Sequence, residues 1–276
     1  RELNCSYTLI KDLTPINGLI NIESLKCEGI KITGLEFVPQ MKKLKLLDCS
    51  NTRIFNLSSL EAISTIEHLD ISGTNVVNLD MVKTLTKLTY LNCENTTISS
   101  LVPLADLVNL EILRISNTEV RSLVPLESLP ALKRIYCDNT LVEKQEAIQF
   151  MRSHPDCLVI FESEDLFLSW NELEEPWKAI VRSTGQISEP PTREELHQVL
   201  TNSKLNVSGN TEITTLNPVK RLFNLVMLDA SSTRISDFTP IGEAAELEEL
   251  NVSNTGIADL EFMGKLSRLH NLNIAN

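Results

Sequence analysis

Residues 88–109 read LTYLNCENTTISSLVPLADLVN, and residues 110–131 read LEILRISNTEVRSLVPLESLPA. The two stretches have equal length, and both carry apolar residues at positions 1, 4, 6, 11, 14, 17 and 20 and a threonine at position 9. The same pattern runs in steps of 22 residues from Leu3 to Val142. A fixed period of this length indicates a solenoid, in which each repeat packs only against its neighbours.

The spacing within one repeat predicts its local structure. Apolar residues at positions 4 and 6 alternate with polar ones, which is the period of a short strand with one buried face. The later apolar positions lie three residues apart, which suits a helical or 3-10 turn. A proline that recurs there starts the turn with its fixed φ. We therefore predict an α/β solenoid with a parallel sheet on its concave side and short helices or 3-10 turns on its convex side.

Positions 8 and 9 predict a sharp turn after each strand. Position 8 is Gly or Asn, the residue types that tolerate a positive φ. These residues are Gly29, Asn51, Gly73, Asn95, Asn117, Asn139, Gly209 and Asn254. We expect the threonine at position 9 to bond backbone groups of adjacent turns, because buried backbone groups need partners. Ile30 interrupts this threonine series.

The period breaks once, which predicts two arrays separated by a helical segment. Residues 143–161 read as a helix followed by a closing strand, as expected for a cap on the first array. Residues 163–203 contain Trp170 and Trp177 at helical spacing and then Thr192-Arg193-Glu194-Glu195, a capping-box pattern. The period resumes over 204–276. We predict a domain over 1–162 and a second over 163–276, with 163–203 as its helical N-terminal cap.

These repeats resemble those of the internalin-like class of leucine-rich repeat proteins, which carry the same xPL segment in a short period. They are also similar to the repeats of the phosphatase-regulatory leucine-rich subunit of eukaryotes. The resemblance covers most of the chain and implies the leucine-rich repeat fold together with a role in protein binding. The sequence departs from the family in two ways, because it has Thr where the family more often has Asn and frequently has Cys in the strand core.

Charge and hydropathy narrow the classes of partner. The net charge of −12 and the sequence pI of about 4.9 give a field that repels the phosphates of nucleic acid and anionic membrane surfaces. No apolar run is long enough for a spanning helix, and no signal segment opens the sequence. We therefore expect a protein or peptide partner, no nucleic acid and no membrane span.

The cysteines and the remaining motifs point away from catalysis. Five of the six cysteines share one core-facing strand position at multiples of 22 residues, and this spacing fits no metal-binding pattern. Unpaired buried thiols favour a reducing compartment, so we expect a cytoplasmic location, with a cell-surface or secreted one as the alternative. The sequence contains no nucleotide-binding, hydrolase or zinc-protease motif. We predict that the chain is not an enzyme and has no cofactor or metal.

The residues that the repeat does not dictate are those on the concave face of the first array. Leu46, His68, Tyr90, Ile112 and Arg134 hold position 3 of successive strands. Asp48, Asp70, Arg114 and Tyr136 hold position 5. Exposed aromatic residues together with arginine are typical of binding hot spots, although these side chains could also pack only against one another. We predict that these nine residues form the partner-binding site.

The function we expect is therefore that of a non-catalytic interaction scaffold. One alternative is an internalin-like adhesion protein on the cell surface or secreted. Another is a regulatory or assembly part of a longer polypeptide. The last strand is predicted to leave an uncovered edge, which would permit self-association.

Overall fold

The structure is a computed structural model that describes residues 1–184 and 187–275. Contacts between residues divide the chain into two compact units, Arg1–Phe161 and Glu162–Asn276. That each unit folds as an independent domain, with the boundary between 162 and 163, stays a prediction.

The first unit is built on one parallel sheet whose eight strands follow chain order. Neighbouring strands pair in a register of 22 residues as far as β7, so that Leu25, Leu47 and Leu69 lie side by side in the core. This register is expected when each repeat places its apolar positions 4 and 6 on the same face. The strands are β1 (Glu2–Asn4), β2 (Ser24–Lys26), β3 (Leu46–Asp48), β4 (His68–Asp70), β5 (Tyr90–Asn92), β6 (Ile112–Arg114), β7 (Arg134–Tyr136) and β8 (Leu158–Ile160).

The convex side of this unit consists of 3-10 turns, as predicted. Prolines such as Pro103 and Pro125 stand at the starts of these turns, where no amide donor is required. The turns described in the first unit are Thr14–Ile16, Val38–Gln40, Ser58–Ala62, Val82–Thr84, Val102–Leu104 and Val124–Leu126. The α/β leucine-rich repeat solenoid predicted from the period is therefore the observed architecture.

The turn after each strand confirms one prediction and corrects another. All eight Gly and Asn residues predicted to have positive φ do so, and Tyr7 and Ser232 adopt the same conformation at the same position. We expected the threonine hydroxyls to bond backbone groups of adjacent turns, and this prediction is wrong. Each hydroxyl donates to a carbonyl of its own turn three residues earlier, as Thr52 does to Cys49 at 2.7 Å and Thr118 to Ile115 at 2.6 Å. The positive φ folds the chain back sharply, which brings that carbonyl within reach.

The first array ends in a helix and a strand. Helix α1 (Lys144–Ser153) buries Ala147, Ile148 and Met151, and β8 pairs with β7. His154, which follows the helix, contacts the carbonyl oxygens of Phe150 and Glu127 through its two ring nitrogens at 3.0 and 2.8 Å. These contacts hold the end of α1 against the last full repeat.

The second unit begins with three helices and continues as a parallel sheet. The helices are α2 (Ser163–Glu172), α3 (Glu175–Thr184) and α4 (Arg193–Leu200). The strands are β9 (Lys204–Asn206), β10 (Met227–Asp229), β11 (Glu249–Asn251) and β12 (Asn271–Asn273), with 3-10 turns at Asn217–Arg221, Thr239–Glu243 and Glu261–Lys265. Both hydrogen bonds of the predicted capping box are present between Thr192 and Glu195.

The six cysteines are buried and free. Four thiols also lie within hydrogen-bond distance of a backbone carbonyl on the next strand. For example, Cys27 Sγ is 3.1 Å from the backbone carbonyl oxygen of Asp48. Burial raises the pKa of the Cys27 and Cys93 thiols well above the usual range. A thiol with a raised pKa forms little thiolate, so these side chains are chemically inert components of the core.

Candidate functional site

The register of the first sheet arranges the nine predicted site residues, together with Asn92, in two adjacent rows. Leu46, His68, Tyr90, Ile112 and Arg134 are Cα partners across β3 to β7 and form the first row. Asp48, Asp70, Asn92, Arg114 and Tyr136 form the second row. Both rows flank the buried central residue of each strand, so their side chains lie on the concave face. We call the two rows the concave grid.

The centre of the first row is an aromatic stack. The rings of His68 and Tyr90 are nearly parallel, with an angle of 2° between them and 4.0 Å between their centroids. Both residues are partly buried, as are Leu46 and Ile112 on either side. Burial lowers the pKa of His68, against the opposing charges of Asp70 and Asp48, and raises the pKa of Tyr90 to about 12. The stack therefore presents a rigid, uncharged surface at neutral pH.

The first two members of the second row are carboxylates held in place by serines. Ser50 donates to Asp48 Oδ1 through its amide and hydroxyl at 3.1 and 2.7 Å. Ser72 bonds Asp70 Oδ1 in the same way at 2.9 and 2.6 Å, and Asn92 Nδ2 donates to Asp70 Oδ2 at 2.9 Å. These bonds fix the orientation of both carboxylates.

The two carboxylates are also electrostatically unfavourable neighbours. Asp48 and Asp70 are Cα partners on adjacent strands, an arrangement in which like charges destabilise a sheet. Burial raises the pKa of Asp70, and the nearby charge of Asp48 adds to the effect despite the hydrogen bonds from Ser72 and Asn92. A cation placed beside this pair would relieve the repulsion.

The other end of the second row is occupied by Arg114, which is already paired. Its Nη2 lies 3.0 Å from each carboxylate oxygen of Glu94, and its guanidinium carbon lies 4.2 Å from the centroid of the Tyr136 ring. Tyr136 was predicted to be exposed, and this prediction is wrong, because its residue is only 5% exposed. Strand alternation predicts only the face to which a side chain points. It does not predict that Arg114, from the preceding repeat, covers the Tyr136 ring. Arg134 is exposed.

Glu94 belongs to the site although it was not among the predicted residues. It stands at position 7, two residues after Asn92, and the spacing of 20 residues to Arg114 makes it a diagonal neighbour on the next strand. Ser116 holds the same position one repeat later, and its buried hydroxyl has no hydrogen-bond partner among the described residues. The hydroxyls of Ser50 and Ser72 donate to the aspartate two residues earlier in the chain. The residue two positions before Ser116 is Arg114, whose side chain cannot accept a hydrogen bond.

The Asp48–His68–Asp70 group does not have the geometry of a metal site. In residues 1–184 and 187–275, no three His, Cys, Asp or Glu side chains come close enough to hold a metal ion. The ring of His68 is stacked on Tyr90, and Asp70 accepts hydrogen bonds at both oxygens. These contacts hold the side chains of His68 and Asp70 in place on the concave surface.

The concave face of the second sheet is more polar. Met227, Asp229, Glu249, Asn251, Asn271 and Asn273 line a shallow depression of about 320 Å³ there. Asp229 accepts from Ser231 and Asn251, and these bonds outweigh burial and lower its pKa. This face contains no aromatic residue along its described strands.

Among the described residues, no helix is both long enough and apolar enough to cross a membrane.

Comparison with known proteins identifies the fold through solved structures. No family model matches the chain, and no curated protein sequence matches it. The chain is similar to the crystal structure of an internalin, InlF, from Listeria monocytogenes, with 21% identity, a TM-score of 0.56, and coverage of 99% of this chain and 73% of that one. It is also similar to a leucine-rich repeat protein of Leptospira interrogans, with 16% identity, a TM-score of 0.54, and coverage of 99% and 66%. The repeated parallel strands and these similarities show that the chain has a leucine-rich repeat fold like that of an internalin.

Proposed function

We propose that the chain is a non-catalytic scaffold that binds a protein or peptide on the concave grid of its first unit. The observation that carries the proposal is the His68–Tyr90 stack, a preorganised aromatic surface between two aliphatic side chains. Aromatic residues that are already ordered lose little conformational entropy on binding, and they dominate many interfaces.

The charges of the grid indicate the chemistry of the partner. Asp48 and Asp70 lie beside the aromatic stack, and their mutual repulsion decreases when a cation approaches. The whole chain also carries a net charge of −12, which attracts basic ligands over longer distances. We therefore propose a partner segment with a Lys or Arg next to an aromatic or aliphatic residue. A nucleic acid partner is disfavoured by the same field.

A catalytic role has less support from the same residues. His68 and Asp70 would be the natural acid–base pair, but stacking and hydrogen bonds hold both in a fixed surface. The described cysteine thiols with shifted pKa are shifted upward, which is opposite to the requirement of a nucleophile.

The proposal can be tested with short random peptides displayed on phage and selected on the wild-type chain. Leu46→Lys and Ile112→Lys remove the aliphatic flanks of the stack and place a positive charge there that repels a basic partner, whereas Phe55→Lys, at a residue that is 62% exposed and outside the strands, is the matched control. Circular dichroism would establish that each variant is folded.

We expect the selected peptides to combine basic and aromatic residues, to bind Phe55→Lys as they bind wild type, and to lose affinity for both grid variants. Peptides rich in acidic residues, or peptides that bind all three variants equally, would contradict the proposal. Tyr136 is not a useful probe of the surface, because it is buried.

A cell-surface or secreted adhesion protein is the second candidate, since an internalin has the same fold. The free cysteines do not decide between this location and the cytoplasm. Their burial raises the pKa of the thiols, which protects them from oxidation in either compartment. Antibody staining of intact and permeabilised cells would separate the two candidates: staining of intact cells supports the surface, and staining only after permeabilisation supports the cytoplasm.

Self-association through the edge of the second sheet also stays a prediction. Strand β12 pairs with β11, and Leu272 and Ile274 at this edge are 38% and 39% exposed. If the edge mediates association, sedimentation should show oligomers that Leu272→Lys dissociates. A role as part of a longer polypeptide is tested by reading the full coding sequence.

A further inference from the structure

The second unit contains a cavity at the junction of two hydrophobic clusters. One cluster, Leu166, Trp170 and Leu196, belongs to the helical segment. The other contains Trp177 and Leu205 and continues through the core of the repeats. The cavity between them has a volume of about 280 Å³, close to the lower end of the range of pockets that hold small molecules, ~300 Å³. Most of the residues that line it are apolar.

The two tryptophans that line this cavity make contacts with residues outside its lining. Trp177 Nε1 donates to the carbonyl oxygen of Thr215 at 3.1 Å, which fixes the indole. Lys178 and Arg182 lie 5.9 and 5.6 Å from the Trp170 ring centroid. Both indoles line the cavity and are largely covered, with Trp170 7% and Trp177 2% exposed. The tryptophans therefore form part of the apolar wall that faces the cavity.

The lining carries one basic residue, Arg221, which ends the 3-10 turn Asn217–Arg221. It is exposed and makes no ion pair with any residue in 1–184 or 187–275. Glu172 also lines the cavity, and the two side chains do not form an ion pair. An apolar cavity with an unpaired guanidinium at its rim suits a ligand with an apolar body and an anionic end, because a carboxylate forms charge-assisted bonds with arginine.

We propose that this cavity binds a medium-chain carboxylic acid, with the aliphatic chain against Trp170 and Trp177 and the carboxylate at Arg221. With ~30 Å³ for a group of about the size of a water molecule, the cavity holds roughly nine such groups. Octanoic acid has this size. The site is separate from the concave grid and does not depend on the function proposed for it.

The two tryptophans of the chain both line this cavity, so intrinsic fluorescence reports directly on its occupation. The experiment titrates the full chain with octanoate and with 1-octanol, below the concentration at which octanoate forms micelles. We expect a saturable change with both ligands and an affinity for octanoate about tenfold higher than for octanol, from the added bond to a charged group.

Three variants test the assigned roles. Arg221→Gln should remove the preference for octanoate over octanol, while the matched control Lys220→Gln, on the same turn but not in the lining, should retain it. Glu172→Gln should increase the affinity for octanoate, because it removes a like charge from the cavity. Val199→Phe, which fills part of the space, should weaken both ligands.

Two results would overturn the proposal. If neither ligand changes the fluorescence saturably, the cavity does not take an aliphatic ligand. If octanoate and octanol bind equally and Arg221→Gln has no effect, the assignment of the ligand's carboxylate to Arg221 is wrong. The substituted side chains at 172, 220 and 221 are on the surface or the rim, so these variants are expected to fold, and circular dichroism checks this for Val199→Phe as well.

Discussion

Asp70 in the first sheet and Asp229 in the second hold the same position of the repeat and accept the same hydrogen bonds. In each, Oδ1 accepts from the serine two residues later, at 2.9 and 2.6 Å, and Oδ2 accepts from the asparagine of the next strand. Yet the pKa of Asp70 is raised, whereas that of Asp229 is lowered. Identical local bonding therefore has opposite electrostatic outcomes in the two units.

The difference comes from the surroundings of each carboxylate. Burial is the main cause of the raised pKa of Asp70, which lies beside the His68–Tyr90 stack, and the charge of Asp48 on the preceding strand adds a smaller contribution. Asp229 has the neutral Asn206 in the corresponding place and no aromatic neighbour on its sheet. The first face thus holds a partly desolvated carboxylate next to a second negative charge, whereas Asp229 on the second face has no like charge as its partner on the preceding strand. This contrast is our reason for assigning partner binding to the first face.

The largest expected effect concerns stability. Leu91 is fully buried at the centre of the first sheet, so Leu91→Ala should lower the free energy of unfolding by about 2–5 kcal/mol. Leu272 holds the same repeat position in β12 but is 38% exposed, and Leu272→Ala should cost less than about 1 kcal/mol. Urea unfolding of both variants measures the difference. Equal losses would mean that the edge strand β12 is packed as tightly as the centre of the first sheet.

The next effect concerns binding. Tyr90→Ala should weaken a peptide selected on the wild-type chain by roughly 30-fold, because it removes the centre of the aromatic stack. Met227 holds the same repeat position in the second sheet, and Met227→Ala should change the affinity less than about twofold. Isothermal titration calorimetry with one selected peptide gives both values. A larger effect at Met227 would assign the binding to the second face.

A third comparison uses one ion pair from each unit. Glu94 and Arg114 are 14% and 22% exposed, so Glu94→Gln leaves a partly buried charge unpaired and should cost about 1–3 kcal/mol. Glu175 pairs with Arg182 in the second unit but is 73% exposed, and Arg182 keeps Glu189 as a second partner, so Glu175→Gln should cost much less than Glu94→Gln. Chemical denaturation at low and high salt measures both costs. If salt reduces the cost of Glu94→Gln to that of Glu175→Gln, the first pair is not shielded from solvent.

The smallest expected effect is the pH dependence of Asp70 and Asp229. The raised pKa of Asp70 means that the folded state favours the proton, so the stability of wild type relative to Asp70→Asn should fall as the pH rises above about 4. The lowered pKa of Asp229 has the reverse sign: the advantage of wild type over Asp229→Asn should be lost as the pH falls below about 4. Each change should be on the order of 1 kcal/mol or less. Unfolding curves over a pH series check the two signs, and equal signs would contradict the comparison.

Much of the fold could be predicted from the sequence because each repeat position has one environment. The apolar residues at positions 4 and 6 predict the strands, and Asn or Gly at position 8 predicts the positive φ. The threonine bonds could not be predicted from spacing alone, because their acceptor depends on how tightly the turn closes. Thr52 therefore bonds its own turn instead of the adjacent one.

The candidate site was predicted less completely, since alternation does not describe contacts between repeats. It places Tyr136 and Arg114 on the concave face, but it does not show that the Arg114 guanidinium lies over the Tyr136 ring. It also omits Glu94, whose role depends on a diagonal contact with the next strand. The cavity lined by Trp170 and Trp177 depends on how three helices pack, which no periodic pattern specifies.

The central claim is that the first concave face binds a partner and the second does not. The most direct test records backbone amide chemical shifts of the isotopically labelled chain with and without a peptide selected on the wild type. We predict that the shifts change at His68, Tyr90 and Ile112 and stay constant at Met227 and Glu249. Changes confined to β9–β12 would contradict the claim.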